Sequence, residues 1–143
     1  MVPRASERGS SVAVEAALVL PVAMLFVGLV IVMAGYAIAQ QAVTAAATRA
    51  ARAASLERSQ TSAERAARDA AVTELGNSHI TCTDARVSVD AKGLEAPIGT
   101  VASVTVRLTC QAVFPVSMPG FPANRSMTGE GTSPVDTYRS RNG

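Results

Sequence analysis

Few side chains in this sequence are placed to do chemistry, and the most informative is the carboxylate of Glu15. It stands at the start of a long uncharged segment, and the next charged residue is Arg49. A carboxylate at the edge of a hydrocarbon layer is costly to desolvate, so it commonly faces a partner or performs a function. The alternative is a glutamate in the first turn of a helix, where the helix dipole favours it. Position alone leaves both interpretations open.

Two cysteines, Cys82 and Cys110, are the other reactive side chains. In a small domain with a thin core, two cysteines predict a disulfide if the compartment is oxidising; two buried free thiols are the alternative. Their spacing matches neither a zinc knuckle nor a Cys-x-x-Cys redox motif, and the single histidine, His79, is too little to complete a metal site. We therefore expect a Cys82–Cys110 bridge, an extracytoplasmic domain, and neither a metal nor a cofactor.

The remaining ionisable side chains form no catalytic constellation. There is no glycine-rich phosphate loop, no His-Glu metal helix and no Gly-x-Ser-x-Gly elbow. The net charge is +2 with acids and bases interleaved, which gives no electrostatic footprint for nucleic acid. We expect a protein that is not an enzyme and has no nucleic-acid partner. Solvated charges explain the scattered acids Asp84, Asp90, Glu95 and Asp136.

The uncharged segment that follows Glu15 is long enough to cross a membrane. A bilayer core needs about 20 mostly apolar residues in helical form, since a helix satisfies its own backbone in hydrocarbon. Residues 18–39 meet this requirement alone, so the sequence predicts a transmembrane helix over residues 16–40. The arginines on either side favour a cytoplasmic N-terminal segment, residues 1–15, only weakly. The predicted disulfide is a second argument for the same orientation.

The residues after the membrane helix predict one small α+β domain, residues 41–127. An alanine-rich stretch continues the first helix past Arg49 and Arg52. A second helix follows, with the capping-box spacing at Thr61 and Glu64 and a stop at residues 76–77.

Two later segments, residues 86–90 and 103–110, alternate polar and apolar side chains, which is typical of strands. The link between them, residues 91–100, contains glycines and a proline and predicts a hairpin loop in a small antiparallel sheet. The second strand places Cys110 on the same face as Val104, Val106 and Leu108. The final residues, 128–143, show no periodicity and predict a flexible tail.

Residues 8–21, Arg-Gly-Ser-Ser-Val-Ala-Val-Glu-Ala-Ala-Leu-Val-Leu-Pro, resemble the N-terminal signature of TadE-like proteins. These are pseudopilins of the Tad (Flp) pilus assembly and secretion system. The similarity continues through Gln40-Gln41 and the alanine-rich stretch. Residues 133–139 look like the versions from high-GC Gram-positive bacteria. The first half of the chain carries most of the resemblance.

The resemblance implies that a prepilin peptidase cuts after a cytoplasmic glycine, here between Gly9 and Ser10. It also implies that a glutamate near the new N-terminus pairs with the N-terminal amine of a neighbouring subunit, a role that falls on Glu15. Glu15 lies six residues after Gly9, one more than the family's usual spacing. The implied partners are other pilins or pseudopilins, the inner-membrane platform of the Tad system, the prepilin peptidase and membrane lipid.

Two functions remain open. The first is a minor pilin or pseudopilin at the plasma membrane, crossing it once and acting structurally in filament assembly. The second is an anchored or secreted extracytoplasmic binding domain unrelated to pili, because residues 37–39, Ala-Ile-Ala, resemble a signal peptidase site. The length of the apolar region, with Glu15 and Pro21 early in it, favours the first.

Overall fold

The computed structural model describes residues 7–114 and 122–136, with side chains from residue 13 onward. The chain forms two compact units, Met1–Tyr36 and Ala37–Gly143. A long helix, a second helix and a three-stranded antiparallel sheet confirm the predicted α+β class. In chain order the elements are α1 (Glu7–Ser55), α2 (Gln60–Asn77), β1 (Thr81–Asp90), a 3-10 helix (Lys92–Glu95), β2 (Ala102–Val113) and β3 (Asn124–Val135).

Within the second unit, the last part of α1 packs against β3 at very short range. The buried face of this part of α1 is almost entirely alanine, apart from Val43 and Ser55. Opposite it, β3 presents Gly129 and Gly131, and a Cβ added at Gly129 would lie 2.6 Å from the carbonyl oxygen of Val43. A Cβ at Gly131 would overlap the backbone of Thr48. The helix backbone therefore rests directly on the strand backbone.

The start of α2 differs from the prediction. The N-cap is Ser59, whose Oγ accepts the backbone N–H of Ser62 at 3.2 Å, while the Ser62 Oγ accepts the backbone N–H of Ser59 at 3.3 Å. The predicted box of Thr61 and Glu64 is wrong, because the extended backbone of Ser59 starts the helix two residues earlier. The helix ends at Asn77, where the sequence predicts its stop.

The hairpin of β1 and β2 confirms the strand prediction. The two strands pair antiparallel, with Val89 opposite Val106, and the 3-10 helix lies in the predicted link. Val104, Val106 and Leu108 are buried on one face of β2 together with Cys110, as the alternation indicates. The opposite face of the sheet is polar, and there the Nη2 of Arg107 contacts the Oε2 of Glu130 on β3 at 2.8 Å.

The prediction of a flexible tail is wrong for residues 128–135, which belong to β3. This strand pairs with β2 along its whole length, from Val113 opposite Asn124 to Ala102 opposite Val135. The sheet therefore extends the α+β domain beyond the predicted boundary at residue 127. Residues 137–143 of the predicted tail, and residues 1–6 of the predicted N-terminal segment, lie outside the described residues.

Candidate functional site

The first part of α1 is apolar around its entire circumference. Within the described residues, one helix is long and apolar enough to cross a membrane, and none of its most apolar stretch is buried. The side chains of Leu18, Met24 and Phe26 are 69%, 71% and 66% exposed. A helix that is apolar on all sides requires an apolar environment. These properties fit a protein that crosses a membrane once.

Pro21 lies inside this helix, which continues without a break on both sides of it. Proline has no backbone N–H, so the carbonyl of Ala17 does not receive the helical hydrogen bond that residue 21 would otherwise donate. Such a gap is tolerated in transmembrane helices because neighbouring helices, water or local adjustment satisfy the freed group.

Glu15 lies on the exposed surface of α1 and forms no hydrogen bond or ion pair with another described residue. Because α1 begins at Glu7, Glu15 is more than two turns inside the helix at about 3.6 residues per turn. The helix dipole acts mainly within the first turn. The geometry of the uncut helix therefore weakens the simple dipole interpretation and leaves a carboxylate available to a partner.

Gly9 and Ser10 lie near the N-terminal end of the same helix. Their backbone is helical, and their side chains lie outside the described set. The structure thus places the cleavage position inferred from the resemblance, and Glu15, on one continuous helix in the first unit.

Cys82 and Cys110 are bonded to each other, which confirms the predicted disulfide. Their Cα atoms are 5.6 Å apart, and the bridge joins positions separated by 28 residues. The pairing of β1 with β2 is regular except between Thr83 and Arg86, where a bulge lies opposite Cys110. Asp84, in that bulge, has a φ of 51°, a conformation that aspartate tolerates better than most residues. The bridge therefore fastens two strands where their ladder is irregular.

Three polar contacts that sequence reasoning missed hold residues 37–55 of α1, the part that lies in the second unit, in place. The Gln40 side-chain amide donates to the Thr128 carbonyl at 2.8 Å, and the hydroxyls of Ser55 and Ser133 are 3.0 Å apart. An ion pair of 3.0 Å joins Arg49 on α1 to Glu74 on α2. The available signal was the alternation of glycines 129 and 131 with polar residues, which marks a strand that has no side chain at two neighbouring inner positions.

These features define a class of protein: within the described residues, one exposed apolar helix has a C-terminal part that contributes to the core of a small, disulfide-linked α+β domain. Residues 11–52 match the family model described as TadE-like protein. The match contains Glu15, Pro21 and the alanine-rich part of α1, and it confirms the resemblance to TadE-like proteins over these residues. Neither the curated proteins nor the solved structures contain a significant match to this chain.

Proposed function

We propose that this chain is a minor pilin or pseudopilin of a Tad (Flp) type IV pilus or secretion apparatus. Its role is structural rather than catalytic, and it acts through α1. The observation that carries the proposal is that the TadE-like match, residues 11–52, coincides with the exposed apolar helix and with Glu15, which forms no ion pair with another described residue. The proposed partners are other pilins or pseudopilins and the inner-membrane platform of the system.

The proposed work of Glu15 is to guide a neighbouring subunit into position. A carboxylate near hydrocarbon is costly while it is alone, and a positive N-terminal amine from a second subunit offsets that cost. The energy gained on contact favours the assembled state over the isolated subunit. The exposure of Glu15 and of the surrounding apolar side chains leaves room for such a neighbour.

The register of this contact depends on the processing step. Cleavage between Gly9 and Ser10 would make Glu15 the sixth residue of the mature chain rather than the fifth. One residue turns a helix by about 100° and advances it by about 1.5 Å. We propose that partner subunits of this system are adapted to the sixth position. Deleting Ser11 moves the carboxylate to the fifth position, so it should reduce pilus assembly while leaving membrane insertion unchanged.

The proposed topology has a cytoplasmic N-terminus, one membrane crossing and an extracytoplasmic domain. The Cys82–Cys110 bridge supports this orientation, because disulfides persist in oxidising compartments. Incorporation of the domain into a surface pilus is the further expectation.

The second candidate function is a secreted or anchored binding domain with no role in pili. One observation favours it: the boundary between the two units, at residues 36 and 37, lies next to the Ala-Ile-Ala sequence that resembles a signal peptidase site. Cutting after Ala39 would release a domain that starts at Gln40 and keeps its bond to Thr128.

The mature N-terminus distinguishes these functions. We would express the tagged chain with the Tad proteins of a host, separate membrane from soluble fractions, and determine the first residue by mass spectrometry. A membrane-bound chain beginning at Ser10 supports the pseudopilin, and the same chain should stay uncut when the prepilin peptidase is deleted. A soluble chain beginning at Gln40 would refute it.

A further inference from the structure

The second unit has an end at which the chain enters it, here called the entry end. The unit begins at Ala37, and the apolar stretch of residues 18–39 continues into it, where Ala39 is buried. The chain is helical throughout this region, so no spacer separates the apolar stretch from the domain. If that stretch crosses a bilayer, the chain leaves the hydrocarbon at the entry end.

The contacts of α1 identify which part of β3 is at the entry end. Gln40, the first residue after the apolar stretch, donates to the carbonyl of Thr128. Ser55, the last residue of α1, instead contacts Ser133 further along β3. The helix and the strand therefore run in the same direction, and the start of β3 is at the entry end.

Strand pairing adds the neighbouring parts of the sheet to this end. Asn124, the first residue of β3, is opposite Val113, the last residue of β2. Val113 is in turn opposite Thr81, the first residue of β1. The loop between β1 and β2, residues 91–101, therefore lies at the opposite end of the sheet.

The charges of the domain are distributed unequally between its two ends. The three stretches that form the entry end, residues 37–48, 75–83 and 108–129, contain no aspartate or glutamate. Arg125 on β3 supplies a positive charge there, and its side chain is exposed. At the opposite end, the described carboxylates are those of Glu57, Asp90, Glu95 and Asp136.

The acids that come next to these stretches do not change this distribution. Glu74 pairs with Arg49 at 3.0 Å, and Asp84 lies in the bulge of β1, inward from the strand start. Lipid phosphates give a membrane surface a negative potential, which attracts arginine and repels carboxylates. The charges of the entry end are therefore those that a lipid surface favours.

Apolar side chains are also present at the entry end. Val113 is 41% exposed although it belongs to the strand ladder, and Phe114 beside it is half-buried. The connection between β2 and β3, residues 114–123, has no charged residue in its sequence. An exposed apolar side chain next to a positive charge is the combination that binds the boundary between lipid headgroups and acyl chains.

We propose that the entry end of the domain lies on the lipid headgroups of the membrane that α1 crosses. Val113 and Phe114 contact the boundary between the headgroups and the acyl chains, and Arg125 pairs with lipid phosphates. The ligand is the lipid surface itself rather than a second protein. The proposal rests on α1 crossing a membrane and does not depend on a role in pili.

The test uses fluorescence quenching in the full chain. The sequence contains no tryptophan, so Phe114→Trp and Ile98→Trp each introduce one reporter, the first at the entry end and the second at the opposite end. Ile98 is 65% exposed, so the change there should be tolerated. In nanodiscs of equal parts phosphatidylcholine and phosphatidylglycerol, lipids spin-labelled at the headgroup should quench the indole at position 114 strongly and the indole at position 98 little.

Further variants distinguish lipid contact from mere tethering by the helix. In the Phe114→Trp chain, Arg125→Gln and Val113→Asp should each lower the ratio of lipid-bound to free domain about fivefold. A single charge near an anionic surface has an effect of about this size.

The matched controls lie at the opposite end of the domain. Lys92→Gln removes an exposed positive charge, and Ile98→Asp places a carboxylate at an exposed apolar position. Each should change the ratio by less than about twofold. Circular dichroism checks that every variant is folded.

Three results would overturn the proposal. They are equal quenching at positions 98 and 114, unchanged quenching in both Arg125→Gln and Val113→Asp, and an equal loss in the control variants. A fourth is that headgroup quenchers do not reach position 114 while two copies cross-link there within one nanodisc. The entry end would then be an interface between copies of this chain.

Discussion

Gly129 and Gly131 allow α1 to lie directly on β3, so the smallest possible substitution there should destabilise the domain. In Gly129→Ala the new Cβ would stand 2.6 Å from the Val43 oxygen, 2.7 Å from its carbonyl carbon and 2.8 Å from the Thr44 Cα. All three are backbone atoms, so no side-chain rotation can relieve the overlap and the helix or the strand must move.

The size of the effect follows from two opposing terms. Adding atoms to a well-packed interior typically costs about 1–3 kcal/mol, and the cost is toward the upper end of this range when the new atom meets rigid backbone. Replacing glycine stabilises by about 0.4–1 kcal/mol through the unfolded chain. We therefore expect Gly129→Ala to lower the free energy of unfolding by about 2 kcal/mol, which is roughly 8 °C or more in Tm for a domain of this size.

The assay is reversible thermal unfolding of the full chain in detergent micelles, followed by circular dichroism. Gly76→Ala is the matched control, because a Cβ at Gly76 meets nothing within 4 Å and this residue lies in the last turn of α2. Alanine there should leave stability unchanged or raise it by up to about 1 kcal/mol. If Gly129→Ala melts at or above the wild-type temperature, the close packing of α1 on β3 is wrong.

Three further substitutions test other parts of the argument. Glu15→Gln keeps the shape of the side chain and removes the charge, so it should reduce co-purification of partner pilins and lower pilus counts at matched protein level. Pilus counts equal to the wild type in this variant would show that Glu15 has no role in assembly. Replacing Cys82 and Cys110 together by serine removes a bridge across 28 positions, so the free energy of unfolding measured in denaturant should fall by about 3 kcal/mol. A loss well below about 1 kcal/mol would show that the bridge contributes little to the stability of the domain. A double-mutant cycle on Arg49 and Glu74 should give a coupling energy below about 1 kcal/mol, because the arginine side chain is 70% exposed to solvent. A coupling energy of several kcal/mol would contradict a solvated ion pair.

The sequence by itself determines the elements whose signal is local. Residues 16–48 carry no charge, and hydrocarbon tolerates only such a segment in helical form, so the membrane helix follows from composition and length. The hairpin of β1 and β2 follows from period-two alternation. That alternation also predicts that Cys110 faces the core, and the cysteine count then predicts the bridge to Cys82.

Only the tertiary structure decides β3. On this strand Met127 is followed at the inner positions by Gly129 and Gly131, so most of its buried face has no side chain to produce an apolar pattern. Those residues form a strand because they pair with β2. The α1 backbone, more than 80 positions away in sequence, packs so closely on this strand that Gly129 and Gly131 have no room for a side chain.

Tertiary packing also decides what surrounds the candidate sites. Arg49 on α1 and Glu74 on α2 form an ion pair although they lie 25 positions apart, so only the packing of the domain brings them together. For Glu15 the sequence determines the residue and its apolar surroundings, while the position of the helix start places it beyond the first turn. The local sequence determines the chemical type of a residue and the element in which it lies. Which residues surround it in space depends on contacts between segments distant in sequence, and the packing of the whole domain determines those contacts.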